Sequence, residues 1–548
     1  MKWGTLNVTF ARPIRWILAL HGRDVLPFAY GDVESGGHTY GHRFMHPESI
    51  RVPHPGEYLD ALRQASVLAD LDERRGIVER EIARTAASLG GAILPDAELV
   101  DTVNNLIEYP AVVAGKFDDI FLEVPDEVLI TAMREHQKYF AVVDADQNLL
   151  PCFVVVNNTL ARDMRLVATG HERVIRARLS DARFFFKGDA ATPMETWVEK
   201  LKKVLFQAQL GSVYDKVQRI RKIAGGLADA VAPDGGIKAD VERAAHLCKA
   251  DLVSQVVVEF PKLQGVMGRI YAALAGEPDA VATAIEEHYR PTYSGGPLPS
   301  TVTGAALAVA DKMDAICGCF SIGLAPTGAS DPYALRRQGI GILQIMNAYG
   351  FSFSITELIQ RSVAAYAEVS TEPADATCSA VYGFLKGRMA HILEESGYAK
   401  DVIASVTDIA IDPVPHVWKR VAALERLKAE PDFEPLAAAF KRVVNIIRKS
   451  DTGEGFPAVD ERLFEHASES GLYAAYKDVS ARVEKLLADG RFDQALLDIA
   501  SLKRPVDAFF DGVMVMTEDI PCRNNRLALL HRIAAIFGQF ADFSKISI

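Results

Sequence analysis

From residue 6 to about residue 156, apolar and polar positions alternate in short runs rich in β-branched side chains, at residues 8–10, 14–20, 111–114 and 152–156. Alternation with period two places successive side chains on opposite faces of an extended chain, so these runs predict strands, and the glycines and prolines between them predict turns. Residues 57–89 carry apolar positions at helical spacing instead and predict a helix. An α+β domain follows. From about Thr192 the period becomes helical and strand-like runs are few, with the clearest helices over residues 198–209, 214–231 and 435–448. The fold class is therefore multidomain, an N-terminal α+β domain followed by mostly α-helical domains. Two loops mark candidate boundaries: residues 291–299, with their Gly-Gly-Pro-Leu-Pro, and residues 451–457, with Gly453 and Gly455.

Size and composition narrow the class. A chain of 548 residues is long enough for three or four cores at roughly 150 residues each, which excludes a single small binding module. No window approaches the ~20 uninterrupted apolar residues of a membrane span. The opening Met-Lys-Trp-Gly-Thr lacks a signal-type apolar stretch, and six cysteines are too few for a disulfide framework, which predicts a reducing cytoplasm. Only Cys317 and Cys319 lie close together, and one Cys-x-Cys falls short of the four ligands of a structural zinc.

The net charge is −12, so any nucleic-acid contact must be local rather than a property of the whole surface. Residues 436–450 form one such patch: they hold Lys441, Arg442, Arg448 and Lys449 and no carboxylate.

The chain has no G-x-x-x-x-G-K-[ST] loop, no G-x-G-x-x-G after a strand, no G-x-S-x-G elbow and no H-E-x-x-H, so standard phosphate, dinucleotide, acyl-transfer and zinc-protease motifs are not evident. Four constellations remain. His38, His42 and His46, spaced by four, fall near one face as zinc ligands would, but no acid or cysteine completes the shell and an ordinary strand is the favoured reading. Arg173, Arg176, Arg183 and Lys187 fall within a sector of about 80° on a helix, either presenting donors to an anion or pairing internally with Glu172 and Asp181. In the helical middle, His246, Asp251 and then Asp311 follow an order that resembles HD-type phosphohydrolases. No His-Asp dipeptide is present, however, and Ala250-Asp251 stands in its place. Losing an imidazole from a hard-ligand cluster cripples metal binding, so the scaffold reads as HD-like with a degenerate pocket and no metal. Finally, Arg523, Asn524, Asn525 and Arg526 precede an amphipathic helix expected over residues 527–537. With Lys441, Arg442 and Arg448 they are donors at helix starts, suited to phosphates and unpaired bases.

Longer runs carry a resemblance. Gly41-His42-Arg43-Phe44, Glu135-His136-Gln137-Lys138-Tyr139-Phe140, residues 173–185, residues 206–216, residues 259–268, Glu286-Glu287-His288-Tyr289-Arg290-Pro291, residues 327–337 and Asp542-Phe543-Ser544-Lys545-Ile546 occur in order along the chain. In these the chain resembles the beta subunit of the bacterial two-subunit glycyl-tRNA synthetase. The resemblance implies an α+β domain over residues 1–190, an HD-like helical domain over 191–345, a helical linker or body over 346–430 and a helical anticodon-binding domain over 431–548. Family members carry a further segment before Trp3-Gly4, so the first domain is expected to be truncated at its N-terminus.

The resemblance further implies an α2β2 heterotetramer in which the alpha subunit uses ATP and Mg2+, while this chain binds no cofactor and no metal, has no catalytic residue of its own, and positions tRNA(Gly) in the cytoplasm. The tRNA-binding residues expected on that basis are Lys441, Arg442, Arg448, Arg523, Asn525 and Arg526 on the anticodon side, and Arg336 and Arg337 on the acceptor side. His246, Asp251 and Asp311 mark the degenerate pocket. The alternatives from the residues are an HD-type metal-dependent phosphohydrolase and a structural assembly subunit without RNA contact.

Overall fold

The computed structural model describes residues 1–431, 433–450 and 456–547, with the side chains of residues 449 and 450 left out. The Lys449 side chain and most of the expected 451–457 loop thus lie outside the described residues. The chain divides into two compact units, one of Met1–Thr192 with Ser254–Leu263 and one of Pro193–Val253 with Gln264–Ile548. The first is α+β and the second mostly helical, as the change of period near Thr192 predicts.

The first unit is built on a four-stranded sheet of β1 (Ala92–Ile93), β2 (Ala111–Lys116), β3 (Phe140–Val143) and β4 (Leu149–Asn157), in the order β1-β3-β4-β2 with every pair antiparallel. Helices α1 (Leu71–Ser88) and α2 (Ala97–Leu106) close its core: Val78, Ile82 and Ala86 of α1 and Leu99, Val100 and Val103 of α2 pack with Phe140, Val142, Val154 and Val156 of the strands. Helix α3 (Met164–Ala190) packs against β2. The single helix expected over residues 57–89 is corrected to two, Tyr58–Gln64 and Leu71–Ser88. The Asp70 carboxylate accepts the backbone N–H groups of Asp72 and Glu73, each at 3.0 Å, and so starts a new helix, while Ser66 at φ +61° ends the old one. The strand expected at residues 8–10 amounts to one isolated bridge, Lys2 to Thr9, because alternation without a neighbouring strand leaves nothing to pair with.

In the second unit, α4 (Val213–Val231), α5 (Asp279–Glu287) and α7 (Leu335–Tyr349) surround α6 (Val302–Ser321). Every residue of α6 after Val302 is buried, so its apolar positions cover all sides rather than one stripe. Residues 198–209, expected as helix, are corrected to a helix Met194–Lys200, a 3-10 turn Leu201–Lys203 and a strand Leu205–Gln207 that pairs with Gly211–Ser212. The reversal needs Gly211 at φ +91°, and Ser212 then caps α4 in a reciprocal box with Asp215.

The C-terminal helices include α8 (Phe433–Ser450), α9 (Ala467–Ala488), α10 (Lys503–Gly512) and α11 (Ile520–Phe540), with a further helix, Phe492–Ser501, between α9 and α10. Phe440 of α8 stacks on Phe537 of α11 with ring centroids 3.9 Å apart, and Phe543 of the closing motif meets both rings edge-on.

Candidate nucleic-acid interface

The helical period of α8 sorts its residues. Phe440 and Val443 point into the bundle, which leaves Arg442 exposed and Lys441 partly so. Arg442 lies over the Phe510 ring of α10, its guanidinium carbon 4.0 Å from the ring centroid. A cation on an aromatic face is an arrangement that also accepts a stacked base or a phosphate. Arg448 Nη2 donates to Asp542 Oδ2 at 2.8 Å in a half-exposed pair, which water screens enough for another anion to compete. Arg523 is partly exposed on α11, and among the described residues Lys441, Arg442 and Arg523 have no carboxylate partner.

Asn525 and Arg526 are placed differently from the sequence reading. The last helix begins seven residues before the expected 527, at Ile520, where Asp519 caps the Cys522 N–H at 2.9 Å. Both residues therefore sit inside a helix, on the face that carries Cys522 and Leu529 into the core. Asn525 Nδ2 donates to the Asp460 carbonyl at 3.0 Å and its Oδ1 accepts the Asp460 N–H at 2.8 Å. Arg526 donates to Glu469, to Glu465 and to the Met514 carbonyl. These two side chains are spent on the bundle, and the correction follows from where the helix starts.

Arg336 and Arg337 open α7. Asp331 accepts the N–H groups of Leu335 and Arg336 at 2.8 and 3.0 Å, so the helix end is already capped from within. Ala334 holds φ +52° to make that turn. Among the described residues neither arginine forms an ion pair, and Arg337 is exposed.

His246, Asp251 and Asp311 do not assemble. His246 Nε2 contacts Glu195 Oε2 at 2.8 Å, a carboxylate that also pairs with Arg243. Asp251 Oδ2 accepts the N–H groups of Gly265 and Gly268 at 2.6 and 3.0 Å. Burial raises its carboxyl to about 6, against the opposing pull of those amides. Asp311 lies between two ammoniums, with Lys216 Nζ 2.9 Å from Oδ1 and Lys249 Nζ 3.0 Å from Oδ2. Burial alone raises that carboxyl, but the two lysines outweigh it and hold it well below the usual range. Lys216 also reaches Asp314, which takes Arg219 Nε at 2.9 Å and the Tyr366 hydroxyl at 2.6 Å. Lys312 donates to the carbonyls of His288 and Arg290, and burial pushes its ammonium down to about 7. Among the described residues no three His, Cys, Asp or Glu side chains form a metal cluster. The sequence singles out Asp311 but not the two lysines that hold it, because a helix position in α4 and a turn position before Ala250 carry no motif that marks Lys216 or Lys249.

In the first unit, Arg176 pairs with Asp118 at 3.2 Å, and Arg183 and Lys187 both pair with Glu123 at 2.9 Å. The internal pairing holds, with carboxylates from outside the helix rather than Glu172 and Asp181; Arg173 stays exposed. His42 is buried and its Nδ1 accepts the N–H groups of Phe44 and Met45, which makes it a turn residue, whereas His38 is exposed.

The run Glu135 to Phe140 holds a feature that spacing did not reveal. Residues Ala132–Gln137 form a π-helical turn ended by Lys138 at φ +58°. Tyr139 beyond it donates to His171 Nδ1 at 2.7 Å, and His171 Nε2 donates to Asn157 Oδ1 at 2.8 Å. Asn157 Nδ2 faces the Ala111 carbonyl, which turns Oδ1 toward the imidazole and sets that tautomer.

The sequence model described as glycyl-tRNA synthetase beta subunit matches residues 1–408, and that described as DALR anticodon binding domain matches residues 436–547. The chain is similar to the glycine–tRNA ligase beta subunits of Desulfatibacillum aliphaticivorans, Desulforapulum autotrophicum and Geotalea daltonii, at 52%, 50% and 47% identity. Each comparison covers 100% of this chain and 79% of the relative.

Proposed function

The chain belongs to the glycyl-tRNA synthetase beta-subunit family, and from that premise we propose that it grips and positions tRNA(Gly) while a separate alpha subunit makes the ester bond. The observation that carries this reading is the coincidence of the DALR match, residues 436–547, with the bundle that displays Lys441, Arg442, Arg448 and Arg523. Contacts to phosphates fix register and orientation. Binding energy spent there holds the terminal adenosine of the tRNA near a reacting acyl group and lowers the barrier by positioning. Arg336 and Arg337 serve the acceptor side. In this reading the complex is an α2β2 heterotetramer, ATP and Mg2+ act through the alpha subunit, this chain holds no cofactor, and the assembly works in the cytoplasm.

Aminoacylation assayed with the chain alone, a cognate alpha subunit alone and the two together tests the proposal. Glycylation is expected only from the mixture. Charging by this chain unaided, or filter binding that shows no tRNA(Gly) held by the mixture, overturns it.

A further inference from the structure

Lys249 is held as metal ions are held. Its Nζ lies 2.7 Å from His288 Nε2 and 3.0 Å from Asp311 Oδ2, and 3.9 Å from the centroid of the Tyr289 ring. The other imidazole nitrogen, His288 Nδ1, faces the Ile285 carbonyl at 2.6 Å. A carbonyl only accepts, so Nδ1 carries the proton and the Nε2 lone pair is aimed at the ammonium. That is the tautomer and outer support of a metal-ligating histidine. Burial and the Lys249 charge both keep the imidazole neutral. Lys216 occupies the other oxygen of Asp311 and so leaves Oδ2 for Lys249. Lys249, His288 and Asp311 are all buried.

We propose that Lys249 supplies a tethered internal cation at a place built to hold a metal ion, and that shortening this side chain turns His288 and Asp311 into a site for a borderline divalent ion such as Co2+ or Zn2+. The lone pair of a neutral imidazole and one carboxylate oxygen already converge on a single point, and both are donors these ions take. An alanine at 249 removes three methylenes and the charge, leaving room for the ion and the waters that complete its shell. The proposal concerns the second unit by itself and does not rest on the RNA-binding reading.

The full chain, K249A, K249M and the double variant K249A/H288A are compared by thermal unfolding with and without CoCl2, and by the visible absorption of bound Co2+. K249M fills the space without charge, so it separates electrostatics from packing. K249M is expected to unfold several degrees below wild type, because it leaves the imidazole lone pair and the carboxylate oxygen facing a thioether. K249A is expected to unfold lower still, and Co2+ is expected to raise its midpoint by several degrees and give a d–d band, neither of which occurs in wild type or in K249A/H288A. If K249A does not accumulate folded, refolding from urea with and without Co2+ reads the same question. A K249M as stable as wild type overturns the proposal; so does a K249A that Co2+ neither stabilises nor refolds, and so does a Co2+ effect that survives removal of His288.

Discussion

Arg526 Nε donates to Glu469 Oε1 at 2.9 Å, and both side chains are withdrawn from solvent, at 6% and 1% exposure. The same guanidinium reaches Glu465 Oε2 at 3.0 Å and the Met514 carbonyl at 3.1 Å, so its donors tie α9 and the segment before α11 to α11 itself. Glu469 in turn closes the capping box at the start of α9. Removing one partner of a buried pair leaves the other charge uncompensated, and Arg526→Ala should cost about 3–5 kcal/mol. Urea unfolding checks this. The folded fraction should keep the tRNA salt dependence of wild type, because the deleted group faces the core.

Lys441→Ala and Arg442→Ala should behave in the opposite way. Each removes an outward cation, and every phosphate left without its cation should flatten the plot of log Kobs against log salt by roughly 0.7–0.9. Filter binding of tRNA(Gly) across a salt series measures the slope. Lys441→Ala should move stability by no more than about 0.5 kcal/mol, as for other surface changes. Arg442→Ala gives up its place on Phe510 and should lose about 0.5–1 kcal/mol.

Gly268→Ala should destabilise by about 1–3 kcal/mol, the usual range for overpacking. A Cβ there would stand 2.6 Å from Ile285 Cγ2 and 3.1 Å from Asp251 Oδ2, while the Gly268 N–H is one of the two that hold that carboxylate. Gly383→Ala is the contrasting case. It lies exposed within the helix Ala374–Glu395 with nothing near its Cβ position, and should gain about 0.5–1 kcal/mol from helix propensity. Thermal or urea unfolding of the two variants should shift in opposite directions.

Burial lowers the pKa of His171 in the folded chain, and its Nδ1 accepts the Tyr139 hydroxyl. The folded state therefore binds fewer protons than the unfolded state. Stability from this group is fully present above the unfolded value of about 6.5 and is lost as pH falls from there toward the depressed folded value. His171→Gln cannot titrate, so the difference in urea midpoint between wild type and variant should shrink between pH 7.5 and pH 5.5. A constant difference would show that the imidazole does not contribute to the acid sensitivity.

The runs over residues 259–268 and 327–337 were visible in the sequence, but their structural reasons were not. The run ending at Gly268 is explained once Asp251 is seen to accept the amides of Gly265 and Gly268, with Gly265 at φ +82°. The run from Thr327 to Arg337 is explained by Asp331 capping α7. Both links join residues by geometry that no periodicity encodes.

The order of classes along the chain, α+β and then helical, was set by the sequence itself, because hydrophobic period is a local property that a strand or helix must satisfy to bury one face. The basic stretch at 441–448 and the loss of the His-Asp dipeptide are equally local. Which cations face outward was decided only by the tertiary structure. A helix that starts at Ile520 turns Asn525 and Arg526 into the bundle, and α4 together with the turn that follows the helix Lys238–Leu247 sets Lys216 and Lys249 against Asp311 of α6. The direction of a side chain depends on where its helix begins and what packs beside it, and the burial of a charge depends on partners far away in the chain, so neither is written in the run of residues around it.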